Sequence, residues 1–262
     1  MAEEIDLRTH RALVTGAGQG LGRAIAVHLG AGGAEVVVND FVPERAEIVA
    51  EEIRAAGGRA ISSPFDVTDP AVVRAAVDRV NGIDILVNNA GDAGGPDVAG
   101  SFDRNVPVDA SPAQWDPYRA IFYGVMVCTN ACLPAMIERR FGRIVTVISD
   151  AARAGDALPD AVYAGANEGA AGFTRSIATE NGRYGITANV VTVATTPGKP
   201  TQSDTASNAK STLGEYATRR LGEPLEVAPL VTYLVSPLAS WLTGQTVPVN
   251  GGYTSGALTA LS

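Results

Sequence analysis

The sequence predicts one α/β domain built on a doubly wound parallel sheet of seven strands with helices on both faces. Three observations predict it. Short β-branched runs alternate with amphipathic stretches along the whole chain. Those runs are nearly continuous in valine and isoleucine, as strands covered on both faces are. A glycine-rich turn joins the first run to the first amphipathic stretch.

The expected strands are 12–15 (ALVT), 35–39 (EVVVN), 60–64, 83–88 (IDILVN), 142–149 (GRIVTVIS), 186–193 (ITANVVTV) and 246–249 (TVPV). Helical patterns lie at 44–56, 70–80, 116–139, 161–184 and 224–234. Two segments break the rhythm. Residues 92–112 are rich in Gly, Pro and Asp, and residues 195–212 are polar and hold the two lysines of the chain, Lys199 and Lys210. Both leave strands at the edge where open α/β sheets bind ligands. Together with 150–160 they are expected to be substrate-side loops, the alternative being plain surface loops.

The 262 residues show no linker, repeat or composition break, so 1–262 is read as a single domain. With 46% hydrophobic and 18% charged residues the chain can bury a substantial core. A formal charge of −8 argues against nucleic acid as a partner, because phosphate binding needs a basic face. No apolar run reaches membrane-spanning length, and the start, MAEEIDLRTHRALVTG, has no apolar signal core. The expectation is a cytoplasmic protein without a membrane partner. Cys128 and Cys132 stand four apart in a helical segment without zinc-type spacing, so they are read as core thiols. No metal site is expected.

Thr15-Gly16-Ala17-Gly18-Gln19-Gly20-Leu21-Gly22 follows the first strand and opens a helix. Glycines there let the backbone approach a pyrophosphate, which the free N–H groups of the helix then face. Asp40 closes the second strand. A carboxylate in that place accepts from ribose hydroxyls and repels a 2′-phosphate. Asn39, Phe41 and Val42 offer no arginine and Gln19 is uncharged, which favours NAD over NADP. Asp40 also stands where it could cap the following helix.

TGAGQGLG, Asp66-Val67, Asn88-Asn89-Ala90-Gly91, a serine after the fifth strand, Tyr163 and the C-terminal LTGQTVPVNGG fall in one order. In that order the chain resembles the classical short-chain dehydrogenase/reductase family over nearly its whole length. The resemblance implies a Rossmann-type fold and hydride transfer between nicotinamide and a carbonyl or alcohol carbon. It implies that Gly16, Gln19, Gly20, Leu21, Gly22 and Asp40 bind the dinucleotide. Asp66 and Val67 would meet the adenine, and Asn88, Ala90 and Gly91 would hold the fourth strand beside the cofactor. Thr195 and Thr196 would meet the nicotinamide carboxamide. A homodimer or homotetramer is the family's usual assembly.

Ser149 would hydrogen-bond the substrate oxygen and Tyr163 would give or take the proton. A free tyrosine titrates near ~10, so it is a fair positioned acid at neutral pH and a poor base. The family places a lysine four residues on, where its charge favours phenolate and its ammonium binds the nicotinamide ribose. Here that residue is Asn167. An amide can donate to a ribose hydroxyl but supplies no charge. Two further departures surround the same site. The family's helix asparagine gives way to Ile121 or Phe122, and its Pro-Gly after the sixth strand is Val193-Ala194. Lys199 either swings in from its loop to restore a cation or is a solvated surface lysine; Arg153 is a second candidate.

The stretch 148–165 is similar to that of 2-hydroxycyclohexanecarboxyl-CoA dehydrogenase-type members and of 3-oxoacyl reductases. An alicyclic or acyl-thioester alcohol is therefore the expected substrate. Arg104, Arg153, Arg219 and Arg220 could meet the phosphates of CoA, or are scattered surface arginines. Two readings follow: an NAD-dependent alcohol dehydrogenase or ketone reductase, or a catalytically impaired dinucleotide-binding protein acting as a regulatory or partner subunit.

Overall fold

The valine-rich runs form one sheet of seven parallel strands in a computed structural model that describes residues 5–91, 115–150, 161–194 and 216–253. The strands are β1 (Arg11–Val14), β2 (Glu35–Val38), β3 (Arg59–Ser62), β4 (Ile85–Asn88), β5 (Gly142–Ser149), β6 (Ile186–Val193) and β7 (Thr246–Val249). Their order across the sheet is β3-β2-β1-β4-β5-β6-β7. The last three have the bounds expected from the sequence, and the others differ by one or two residues at an end.

The helices are α1 (Gly20–Ala31), α2 (Pro43–Ala55), α3 (Pro70–Arg79), α4 (Val125–Arg139), α5 (Ala161–Asn181) and α6 (Pro224–Val235). Strand residues alternate between two cores because side chains point to opposite faces in turn. Val14, Val36 and Val191 meet Ile25, Leu29, Ile53 and Leu234 of α1, α2 and α6. Leu13, Leu86 and Ile144 meet Val77, Met136 and Ile177 of α3, α4 and α5. Each fully buried side chain of this size stabilises the fold by roughly 1.5–3 kcal/mol relative to exposure. Proline opens α2, α3 and α6, where its missing N–H costs nothing. Asp69 accepts the N–H groups of Ala71 and Val72 at the start of α3.

The helical pattern at 116–139 is not one helix. A 3-10 turn (Asp116–Tyr118) and a π-helical turn (Ala120–Gly124) precede α4. The pattern at 161–184 likewise ends as α5 at Asn181, followed by a 3-10 turn to Tyr184 and Gly185 at φ +76°. The helical stretch Ala120–Arg139 is long and apolar enough to cross a membrane, which no single apolar run in the sequence reveals. Half of its most apolar window is buried, with Cys128, Cys132 and Met136 in the core. It packs as a core helix. Burial pushes the Cys128 thiol up to about 12 and the Cys132 thiol well above its usual range, so both are inert core thiols.

Candidate functional site

β1 and β4 are neighbours, and the chain winds outward from them in opposite directions. Their carboxyl ends therefore flank the crevice of the sheet. A hydrogen-bonded stitch shapes it. The buried Thr15 hydroxyl oxygen accepts the N–H groups of Asn89 and Ala90, each at 3.0 Å. The Asn89 amide donates to the carbonyls of Thr15 and Gly16, each at 3.1 Å. A Cβ on Gly22 would stand 2.2 Å from the Gly16 carbonyl oxygen and 2.5 Å from Asn89 Nδ2. Gly16, at φ +62°, has Ala90 Cα 3.0 Å from where its Cβ would be. These glycines are required by contact, so the turn is a backbone cradle.

The cradle fits a dinucleotide pyrophosphate. Gln19, the N-cap of α1, makes no side-chain cap bond, and no acidic residue lies in the first turn. The positive helix end with its N–H groups is left for an anion. Nothing stands within 4 Å of a Cβ placed on Gly20, so the turn is open there. Leu21 is half-buried and packs against the core shared by α1, α2 and α6.

Asp40 is buried, and its carboxylate turns toward the glycine turn. Oδ2 accepts Gly18 N–H at 3.0 Å and Oδ1 accepts Val42 N–H at 2.9 Å. Each oxygen keeps a second lone pair, so ribose binding and support of the α2 entry are compatible. Asn39 ties the neighbouring pieces together. It donates to the carbonyls of Ser63 and Phe65 at 3.2 and 3.0 Å, and its own carbonyl accepts Ala17 N–H at 2.7 Å. Asp66 is exposed and accepts from Thr68 N–H and hydroxyl, both at 2.8 Å. Val67 is buried against Gly124 of the π-helical turn. Asn88 is buried, with a 3.4 Å bond to Thr129 and its amide oxygen unpartnered among the described residues. Gly91 faces Ile121.

The other half of the site lies where β5 ends and α5 begins. Asn167 is 2% exposed. Its amide oxygen accepts Ser149 N–H at 2.8 Å and its amide nitrogen donates to the Tyr163 carbonyl at 2.8 Å. Asn167 thus joins the two residues proposed for the chemistry through their backbones. Tyr163 also packs edge-on against the buried Tyr118, with ring centroids 6.2 Å apart. Ile121 is buried near Gly91, while Phe122 lies against Gly169 of α5. The next residue after Ser149, Asp150, is buried. It donates to the Val193 carbonyl at 2.8 Å and accepts from the Asn250 amide across β6.

Thr195, Thr196, Lys199, Arg104 and Arg153 lie outside the described residues, as do 92–112 and 195–212 and all of 150–160 but Asp150. Near where they depart, Ala194, Tyr216, Thr218, Asn250 and Gly251 line a small cleft closed on one side by the Arg220–Glu226 ion pair. No cluster of metal-ligating side chains occurs among the described residues. The sequence reading passed over Thr15, Asn39, Asn89 and Tyr118. Thr15 and Asn89 sit inside recognised motifs, while Tyr118 has no sequence signal.

A family model described as enoyl-(acyl carrier protein) reductase matches residues 16–254. The chain belongs to the short-chain dehydrogenase/reductase family, whose members are oxidoreductases that bind a nicotinamide cofactor. It is 34% identical to the 3-oxoacyl-(acyl-carrier-protein) reductase FabG of Vibrio cholerae, over 92% of this chain and 96% of that one. It is 32% identical to the (2S)-((R)-hydroxy(phenyl)methyl)succinyl-CoA dehydrogenase subunit BbsD of Thauera aromatica, over 92% and 95%. A gluconate 5-dehydrogenase of Burkholderia cenocepacia, solved with NADP and tartrate, superposes with a TM-score of 0.85 at 31% identity, over 97% of this chain and 98% of that one.

Proposed function

We propose that this chain is an NAD(H)-dependent oxidoreductase that moves a hydride between nicotinamide and a secondary alcohol or ketone. The observation that carries this is the division of groups along one sheet edge. The anion cradle and Asp40 lie over β1 and β2, and Ser149 lies beside Tyr163's helix over β5. Bound nicotinamide would supply the hydride to the carbonyl carbon. The Ser149 hydroxyl would hydrogen-bond the carbonyl oxygen, and the Tyr163 phenol would give that oxygen its proton. Thr195 and Thr196 would hold the carboxamide, with Lys199 a candidate cation. The 3-oxoacyl and succinyl-CoA relatives support an acyl-thioester substrate, with an alicyclic alcohol the other expectation. A cytoplasmic homodimer or homotetramer completes the reading.

A second reading is favoured by one observation: Asn167 is uncharged and its amide is engaged by Ser149 and Tyr163. A relative named as a dehydrogenase subunit agrees with it. On that reading the chain binds NAD and serves as a partner subunit.

The test is NADH titration by fluorescence, followed by nicotinamide absorbance with a panel of 3-oxoacyl thioesters and alicyclic ketones. Turnover by the wild type, lost in Tyr163→Phe, is the expected result. Binding without turnover by the wild type, with turnover restored in Asn167→Lys, selects the subunit reading. Failure to bind NADH overturns both.

A further inference from the structure

Tyr118 is a buried aromatic that the chemistry proposed above leaves unused. It is 4% exposed, yet among the described residues it joins none of the three hydrophobic clusters of the core. Its ring meets that of Tyr163, with centroids 6.2 Å apart and planes at 65°. Edge-to-face rings at that separation attract through their quadrupoles.

The support under Tyr118 is tightly packed. Tyr118 ends the 3-10 turn Asp116–Tyr118, and Arg119 alone separates it from the π-helical turn Ala120–Gly124. A Cβ on Gly124 would stand 2.7 Å from Val67, one on Gly169 3.3 Å from Phe122 and one on Gly91 3.5 Å from Ile121. The π-helical turn is thus wedged between the segment before α3, helix α5 and the end of β4. Such turns are frequent at functional sites. This one seats the Tyr118 ring beside the start of α5.

Tyr163 stands in the first turn of α5 and is half-buried, so the core does not fix its ring. The Asn167 amide holds its carbonyl at 2.8 Å. A hold on the backbone leaves the side-chain torsions open. A phenol that transfers a proton must point at its acceptor, and a misplacement of about 1 Å can cost about a hundredfold in rate.

We propose that Tyr118 is a positioning residue whose ring walls one side of Tyr163 and holds the phenol in the orientation that transfers the proton. This rests on the oxidoreductase reading above and adds to it a residue that acts through Tyr163. Asn167 fixes the backbone of Tyr163 and Tyr118 fixes its ring, neither of them by a charge.

The experiment is a stopped-flow single turnover with NADH and each 3-oxoacyl thioester or alicyclic ketone of the panel that the wild type reduces. The proteins are wild type, Tyr118→Leu, Tyr118→Phe and Tyr163→Phe. Leucine keeps the site apolar and removes the ring. Tyr118→Leu should slow the step by about five- to tenfold, with KM and the NADH dissociation constant within about twofold of wild type. Its solvent deuterium isotope effect should exceed that of the wild type, because proton transfer from a misplaced phenol then limits the rate. Tyr118→Phe keeps the ring and should stay within about twofold of wild type. A Tyr118→Leu protein as fast as wild type, beside a Tyr163→Phe protein that has lost turnover, overturns the proposal alone. So does an equal loss in the leucine and phenylalanine variants. A wild type that binds NADH and reduces none of the panel overturns the oxidoreductase reading and this proposal with it. Tyr118→Met gives the same readout should the leucine variant fail to fold.

Discussion

The amide of Asn167 accepts the Ser149 N–H and donates to the Tyr163 carbonyl, both at 2.8 Å. The reverse orientation would set donor against donor and acceptor against acceptor, so the partners fix the amide. A single side chain thereby ties the end of β5 to the first turns of α5. Lysine has donors only and cannot accept from Ser149. Asn167→Ala and Asn167→Lys should each lower stability by about 1–3 kcal/mol, the cost of an orphaned buried partner. That is about 2–4 °C of Tm per kcal/mol in a chain of this size. NADH affinity of the alanine variant should stay within about threefold of wild type. An unchanged Tm with much weaker NADH binding would show that the amide serves the ribose instead.

The direction of reaction follows from the same residue. Asn167 brings no charge to favour a phenolate, so the described site offers no cation to aid removal of the alcohol proton. Ketone reduction should be nearly flat in kcat/KM from about pH 6 to 8, with alcohol oxidation rising steadily from about pH 7 to 10. Oxidation that is flat across that range sinks the prediction.

The central strands were legible in the sequence because burial on both faces leaves near-continuous valine and isoleucine runs, while the less buried β3 and β7 carry shorter ones. The bounds expected at β5, β6 and β7 are the observed ones. The break at Ala120–Gly124 was not legible, because a π-helical turn uses the same apolar spacing as an α-helix over so short a stretch. The glycine turn between β1 and α1 was legible in its glycines. Its stitch was not, because the Thr15–Asn89 pairing joins the ends of neighbouring strands whose residues lie far apart in sequence. Asn167 was legible as a departure from a motif, yet only its partners show what the amide does.

The glycines of the turn should differ sharply in tolerance. Gly22→Ala would drive a methyl group to 2.2 Å from the Gly16 carbonyl oxygen and into the Asn89 amide. It should abolish NADH binding and cost at least about 1–3 kcal/mol. Gly20→Ala meets nothing within 4 Å and carries only the strain of φ +54°, about 1–2 kcal/mol. NADH titration and thermal melts of the two variants check the contrast. Equal losses in both would mean that the cradle is not held by the Gly16–Gly22–Asn89 contact.

His10 provides a pH-dependent contribution to stability far from the nucleotide turn. Its ring stacks on Phe141 at 4.4 Å and 3°, and the Arg143 guanidinium lies 4.4 Å from the centre of the same Phe141 ring. Burial lowers the His10 pKa from its ordinary 6.5, and Arg143 adds to that, while Asp84 and Asp6 oppose it. The unfolded chain therefore binds the proton more readily than the folded one. The stability tied to neutral His10 is fully present above the ordinary value and is lost as pH falls through it toward the lower folded value. His10→Phe keeps the stack and removes the titration. The Tm of wild type should drop more between about pH 7.5 and 5.5 than that of His10→Phe. Carboxylates elsewhere titrate alike in both proteins, so the difference between the two slopes isolates the histidine. A steeper loss in the variant would mean that protonated His10 is held by Asp84 and Asp6 more strongly than burial opposes it.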